Sequence, residues 1–385
     1  MMNAIRPFKL EIKEEEIKDL NSRLLNTRLP DQAPGEPWKT GTDLEWFKKL
    51  LEFWKKDFDW KNSENKLNAF PQFKTQVSDI DVHFLHCEGQ GKKNIPLLLM
   101  HGWPGSVFEF LDLIPILTNP KKFGINTDIA FTVIAPSLPG FGLSFEAFQK
   151  RFGVEEIGDC LLDLMVNVLG YDKFCIQGGD WGSMIGTRIS YKYPDQILGL
   201  HLNMLALRRD YDPERNILPD EQDYIDQIKK WRPEGMGYQA IQGSRPQTLA
   251  YALSDSPSGL AAWISEKFYE WTDCRGNPEN SISFDKMLSN ICLYWFSGAI
   301  GSSFWPYYAR NRRPWFVPNG ETISVPVGYC EFPKEMLKPK KTLAEKTYID
   351  IRRWSKMEQG GHFAAFENPE VLAKEMFLFF SELDL

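Results

Sequence analysis

The 385-residue sequence has no C-x-x-C pair and only five histidines. His83, His86, His101, His201 and His362 are scattered and form no Cys/His cluster at metal-ligand spacing. No metal and no organic cofactor are therefore expected. Six cysteines (Cys87, Cys160, Cys175, Cys274, Cys292 and Cys330) are equally dispersed. In a chain this long, that pattern reads as reduced, partly buried thiols rather than a disulfide framework. Long apolar runs are also missing. The opening MMNAIRPFKLEIKEEEIKDL has no stretch of signal or membrane length, so no membrane span and a cytoplasmic location are expected. Positive charge is not in excess: the net charge of -7 argues against nucleic acid, which selects basic faces. Internal repeats and low-complexity tracts are absent as well.

What is present is ordinary globular composition, 43% hydrophobic and 25% charged, in a length that suits a large domain carrying an insertion. Aromatics reach 14%, enough to line an apolar pocket, although a Phe-rich core accounts for most of them. Residues 1–90 read as a helical, aromatic extension. Within it LEWFKKLLEFWKKDFDW (44–60) sets apolar residues at helical spacing on a Lys-rich background, which predicts packing onto its own core rather than onto a membrane surface. From there the rhythm changes. Strands are predicted at 81–89, 95–102 and 197–205, a strand and loop at 131–142 and a strand and turn at 174–182, with helices between them at 106–120, 154–170 and 183–194. IPLLLMHG (95–102) is a continuous apolar run, as a strand buried on both faces requires. Residues 206–320 are helical and rich in Trp and Tyr. The strand pattern resumes at 322–330 and 348–355, before a last helix at 368–383. Alternating strands and helices imply an α/β fold with a mostly parallel central sheet. Its core would comprise residues 91–205 and 321–385, with 206–320 as a helical lid over the strand ends where ligands bind.

The chemistry is concentrated in Gly178-Gly179-Asp180-Trp181-Gly182, between a strand and a helix. That is the setting of a nucleophile elbow, in which flanking glycines permit a tight, strained turn. The usual nucleophile there is Ser; Ser183 comes three residues too late. An Asp is already ionised at neutral pH and needs no activating base. Its attack on an ester would give an anhydride, whereas attack on saturated carbon gives an alkyl ester that water can cleave. A strained epoxide or a carbon–halogen bond fits that requirement. His101-Gly102-Trp103-Pro104-Gly105-Ser106 ends the apolar strand, so Trp103 and Trp181 are the candidate backbone donors of an oxyanion hole. His101 reads as structural. Only His362, in Gly360-Gly361-His362-Phe363, follows the last strand, which makes it the candidate base. The acid that orients it must follow strand 322–330, and local reasoning leaves Glu331 and Glu335 both open.

Taken together, these residues resemble the microsomal-type epoxide hydrolases over nearly the whole chain. The likeness rests on NSRLLNTRLPD (21–31), on the aromatic run at 38–73, and on HGWPGS, GGDWGS and GGHFAAFENP in that order. Haloalkane dehalogenases, the alternative users of an Asp nucleophile, carry Asn in place of Trp103 and lack this N-terminal region. A non-catalytic ligand-binding relative is the other alternative, and the complete set of Asp, His and acid positions argues against it. The resemblance implies an α/β-hydrolase fold and conversion of a small apolar epoxide, with water, to a diol. It favours Glu335, in Phe332-Pro333-Lys334-Glu335, over Glu331. It also implies two lid tyrosines as proton donors: Tyr238, in Gly237-Tyr238-Gln239-Ala240-Ile241-Gln242, and the second of the pair Tyr307-Tyr308, hence Tyr308. Tyr251 reads as packing. A homodimer is a family-level expectation.

Overall fold

The computed structural model describes residues 4–205, 207 and 219–383. The start of the expected lid, residues 206 and 208–218, lies outside them. Nine strands form one sheet: β1 (Arg6–Phe8), β2 (Gln72–Val77), β3 (Ile80–Cys87), β4 (Lys93–Met100), β5 (Ile129–Pro136), β6 (Phe174–Gly178), β7 (Ile197–Leu202), β8 (Val327–Glu331) and β9 (Ile351–Lys356). Their order is β1-β2-β3-β5-β4-β6-β7-β8-β9. The pairs from β5 to β9 are parallel, and the three pairs from β1 to β5 are antiparallel. β4 and β6 occupy the middle, and the side chains from Leu97 to Met100 and from Phe174 to Ile176 are buried. Sheet and flanking helices make the α/β-hydrolase fold.

Three local expectations change. The extension at 1–90 is not wholly helical, because it supplies the antiparallel edge strands β1 and β2. QFKTQV (72–77) alternates with period two over only six residues, and it turns into β3 through Ser78 and Asp79, both at positive φ. The helix expected at 106–120 is broken into a 3₁₀ turn, Val107–Phe110, and a short helix, Leu113–Thr118. Pro115 has no N–H and its ring clashes with the carbonyl four residues back, so it is tolerated only in a first helical turn. The helix expected at 154–170 passes into a π-helical stretch at Leu164–Val168.

The helix Leu44–Lys56 buries Trp46, Phe47, Leu50, Leu51 and Trp54 and leaves its lysines outside. It abuts Phe284 of the helix Phe284–Ser297, part of the helical insertion between β7 and β8. The insertion therefore rests on the extension on one side and on the strand ends on the other. All six cysteines are free and buried. Among the described residues, no helix is long and apolar enough to cross a membrane.

Candidate active site

β4 and β6 lie side by side, and each ends in a turn that faces the insertion. After β6 the chain reverses into the helix Asp180–Lys192, and Asp180 sits at the bend with φ of 46°. A left-handed backbone at a non-glycine residue is strained, and such strain collects at functional sites. The turn closes only because its flanks are glycine. A Cβ on Gly178 would lie 2.4 Å from the Gly182 backbone, and one on Gly182 would lie 2.4 Å from the Met100 carbonyl oxygen.

From the end of β4, the Trp103 backbone N–H donates to Asp180 Oδ1 at 2.8 Å. The loop carrying Trp103 is pinned by the insertion: Asn290 Nδ2 donates to the Pro104 carbonyl (2.7 Å) and the Tyr294 hydroxyl to the Gly105 carbonyl (2.8 Å). The Trp181 N–H sits in the first helical turn beside Asp180, and of these two amides it is that of Trp103 that bonds the carboxylate.

His362 approaches from the loop after β9, with Nε2 3.5 Å from Asp180 Oδ2. Its Nδ1 is 2.8 Å from Glu335 Oε2, and Glu335 is 3% exposed. Glu331 instead faces Lys356 at the sheet edge. Of the two glutamates the sequence leaves open, Glu335 is the one placed beside the His362 ring. Burial disfavours the His362 cation, but the charge of Glu335 and the hydrogen bonds and charge offered by Asp180 outweigh it, so its pKa is raised well above the usual 6.5. His101 contrasts with this. Its Nε2 accepts from the Leu138 N–H and its Nδ1 meets the Gly102 carbonyl, while burial lowers its pKa to about 4. It is a neutral buttress under the turn.

The lid contributes rings. Tyr238 stacks on Trp103 with centroids 5.3 Å apart. Tyr307 packs edge-on against Trp181 at 4.7 Å and against Tyr238 at 5.7 Å. Its hydroxyl is buried without a hydrogen-bond partner. Burial, then Tyr238 and the Asp180 charge, raise its pKa well above 10. Tyr308 is elsewhere: it stacks on Trp305, with the Arg312 guanidinium 3.3 Å above its ring centre. The expectation of Tyr308 at the site is thus corrected to Tyr307. Adjacent residues on a helix point about 100° apart, and packing on Trp181 sets which of the pair turns inward. Tyr251, expected to pack, is 73% exposed.

Two carboxylates escaped notice in the sequence. Glu367 accepts from the backbone N–H groups of Gly361 (3.1 Å), Phe363 (3.2 Å) and Asp273 (2.9 Å), so it ties the His362 loop to the end of a lid helix. Its position in GGHFAAFE was the available signal. Glu109 is buried near Asp180 and His362. Its signal was a charge set between Phe108 and Phe110, three residues beyond HGWPGS.

An α/β-hydrolase whose elbow carries a carboxylate is the class that this fold and site define. The alpha/beta hydrolase fold model matches residues 95–266, and the epoxide hydrolase N terminus model matches residues 5–110. Epoxide hydrolase 1 of Oryctolagus cuniculus is 36% identical over 401 residues, covering 97% of this chain and 88% of that one. The crystal structure of juvenile hormone epoxide hydrolase from Bombyx mori superposes with a TM-score of 0.87 at 30% identity, covering 99% of this chain and 95% of that one. The structure of Aspergillus niger epoxide hydrolase gives 0.82 at 27% identity, covering 99% and 97%. The chain belongs to the epoxide hydrolase family.

Proposed function

We propose that this enzyme converts a small apolar epoxide and water to a vicinal diol through an ester on Asp180. One arrangement carries this proposal: a carboxylate held at the bend by the Trp103 amide, with His362 Nε2 3.5 Å away and Glu335 2.8 Å behind the ring. In the first half, Asp180 attacks an epoxide carbon in line with the breaking C–O bond. Tyr238 and Tyr307 hydrogen-bond the epoxide oxygen, and one gives it a proton. General-acid help of this kind amounts to roughly 10²–10⁴-fold.

In the second half, esterification removes the Asp180 charge that helps hold the His362 cation. The imidazole then gives up its proton, which returns through solvent to the tyrosinate, and becomes a base. It deprotonates a water that attacks the Asp180 carbonyl carbon. The N–H groups of Trp103 and Trp181 steady the oxyanion, where losing one such donor costs roughly 3 kcal/mol. Collapse expels the diol alkoxide, which takes the proton left on the Asp180 carboxyl. His362 and Asp180 return to their starting ionisation.

The test is a single turnover of styrene oxide with excess enzyme in heavy-oxygen water. The first diol should take its new oxygen from Asp180 and carry little label. Full label in that first diol excludes the ester. His362→Gln should accumulate the ester, visible by intact mass, with hydrolysis slowed at least about 10³-fold; normal turnover would remove His362 from the base role.

A further inference from the structure

A small cavity of about 20 Å³ lies behind Asp180, walled by Glu109, Asp180, His362, Gly102, Gln177 and Asn203. That volume suits one water molecule, which needs roughly 10–15 Å³ and two to four polar partners. Glu109 is 8% exposed. It comes from the 3₁₀ turn Val107–Phe110, and its carboxyl folds back over Gly105, where an added Cβ would lie only 1.5 Å from Oε1. Glu109 makes no ion pair with His362 and no hydrogen bond to Asp180, although it feels the charge of both. Glu109, Asp180 and His362 thus line one gap whose volume fits a single bridging molecule. Burying a carboxyl so close to another is costly unless it is neutral or has work to do. Burial raises the Glu109 pKa to about 8, helped by the Asp180 charge and opposed by His362 and the Ser106 amide.

We infer that Glu109 is a catalytic residue of the second half-reaction, holding the hydrolytic water by one hydrogen while His362 takes the other. This rests on the ester mechanism proposed above. A neutral Glu109 accepts through its carbonyl oxygen and adds no second anion beside Asp180. With both hydrogens engaged, the water's lone pair faces the Asp180 carbonyl carbon. Glu109 exchanges no proton in the step: the water's proton goes to His362 Nε2 and its oxygen forms the new bond to carbon.

The experiment uses Glu109→Met and Glu109→Gln in rapid mixing with styrene oxide. Tryptophan fluorescence follows ester formation, and intact mass follows its decay. In Glu109→Met, ester formation should stay within about twofold of the parent, and ester decay should slow by about tenfold or more, the scale of one hydrogen bond withdrawn from the attacking water. Glu109→Gln keeps an acceptor oxygen and should recover most of that loss. A purely structural Glu109 predicts the reverse, since an apolar side chain in a buried site holds the fold at least as well. Ester decay at the parent rate in Glu109→Met overturns the inference, and so does equal slowing of both half-reactions. If Glu109→Met does not fold, Glu109→Ala reads the same step by the same criteria. Failure of the ester mechanism itself looks different: the unmodified enzyme would then put heavy oxygen into its first diol.

Discussion

The two walls of the active site are built on different principles. The sheet wall holds Asp180, His362 and Glu335 on turns that follow β6, β9 and β8, with the Trp103 amide fixing Asp180 Oδ1 and Glu335 fixing His362 Nδ1. The lid wall offers Tyr238 and Tyr307 through ring contacts of about 5–6 Å, and the Tyr307 hydroxyl has no partner. Covalent chemistry needs a nucleophile and base held closely, because small misplacement costs orders of magnitude in rate. On the proposed mechanism the tyrosines only donate a proton to the departing oxygen, which asks less of their placement than attack on carbon asks of Asp180. The sheet wall should therefore tolerate no substitution, and the lid wall should tolerate some.

The sharpest break is at the elbow. Asp180→Ala should remove turnover by at least about 10⁴-fold, leaving neither burst nor slow phase in a rapid-mixing trace. Residual ester formation would place the nucleophile elsewhere. Next comes the lid pair, where neighbouring tyrosines should differ. Tyr307→Phe should slow ester formation by roughly 10²-fold, leaving ester decay nearly untouched. Tyr308→Phe should stay within about twofold, because its ring lies under Arg312 and away from Asp180. Equal effects from the two would mean that the lid is not oriented by Trp181 as described.

The sheet wall was legible in the sequence because its demands are local. A tight turn after a buried strand needs glycines at fixed offsets, and the Gly178–Gly182 run declares them. His362 follows from chain order. The lid wall was legible only as far as the pair of tyrosines. Choosing Tyr307 over Tyr308 needs the rotational phase of Trp305–Arg310, six residues too short to show a periodic apolar face, so its packing on Trp181 decides. β1 and β2 were missed for the same reason: three and six residues of alternation are weak signals, and it is pairing that makes them strands, β2 with β3 and β1 with β2. Glu109 and Glu367 were invisible because local pattern assigns a charged residue to solvent, while here the fold closes over both.

The smallest effect concerns the joint between the walls. Glu367 bonds the His362 loop and Asp273 together, and burial raises its pKa to about 7 although the amides of Asp273, Gly361 and Phe363 favour its anion. A carboxyl whose pKa is higher folded than unfolded binds its proton more tightly in the folded state. Its contribution is therefore complete below about pH 4.5 and fades as pH rises through about 7. Glu367→Gln copies the neutral acid at every pH, keeping an acceptor oxygen while removing the charge. The fall in Tm between pH 5 and pH 8 should shrink by roughly 2–4 °C in that variant, measured by calorimetry against the parent. Most of the change should come from the high-pH end, since at pH 5 the folded parent still carries the neutral acid that the variant copies. A Tm lowered equally at both pH values would mean that hydrogen-bond geometry rather than ionisation governs the joint. The lid would then be fastened to the base loop by the same close-fitting contacts that hold the sheet wall.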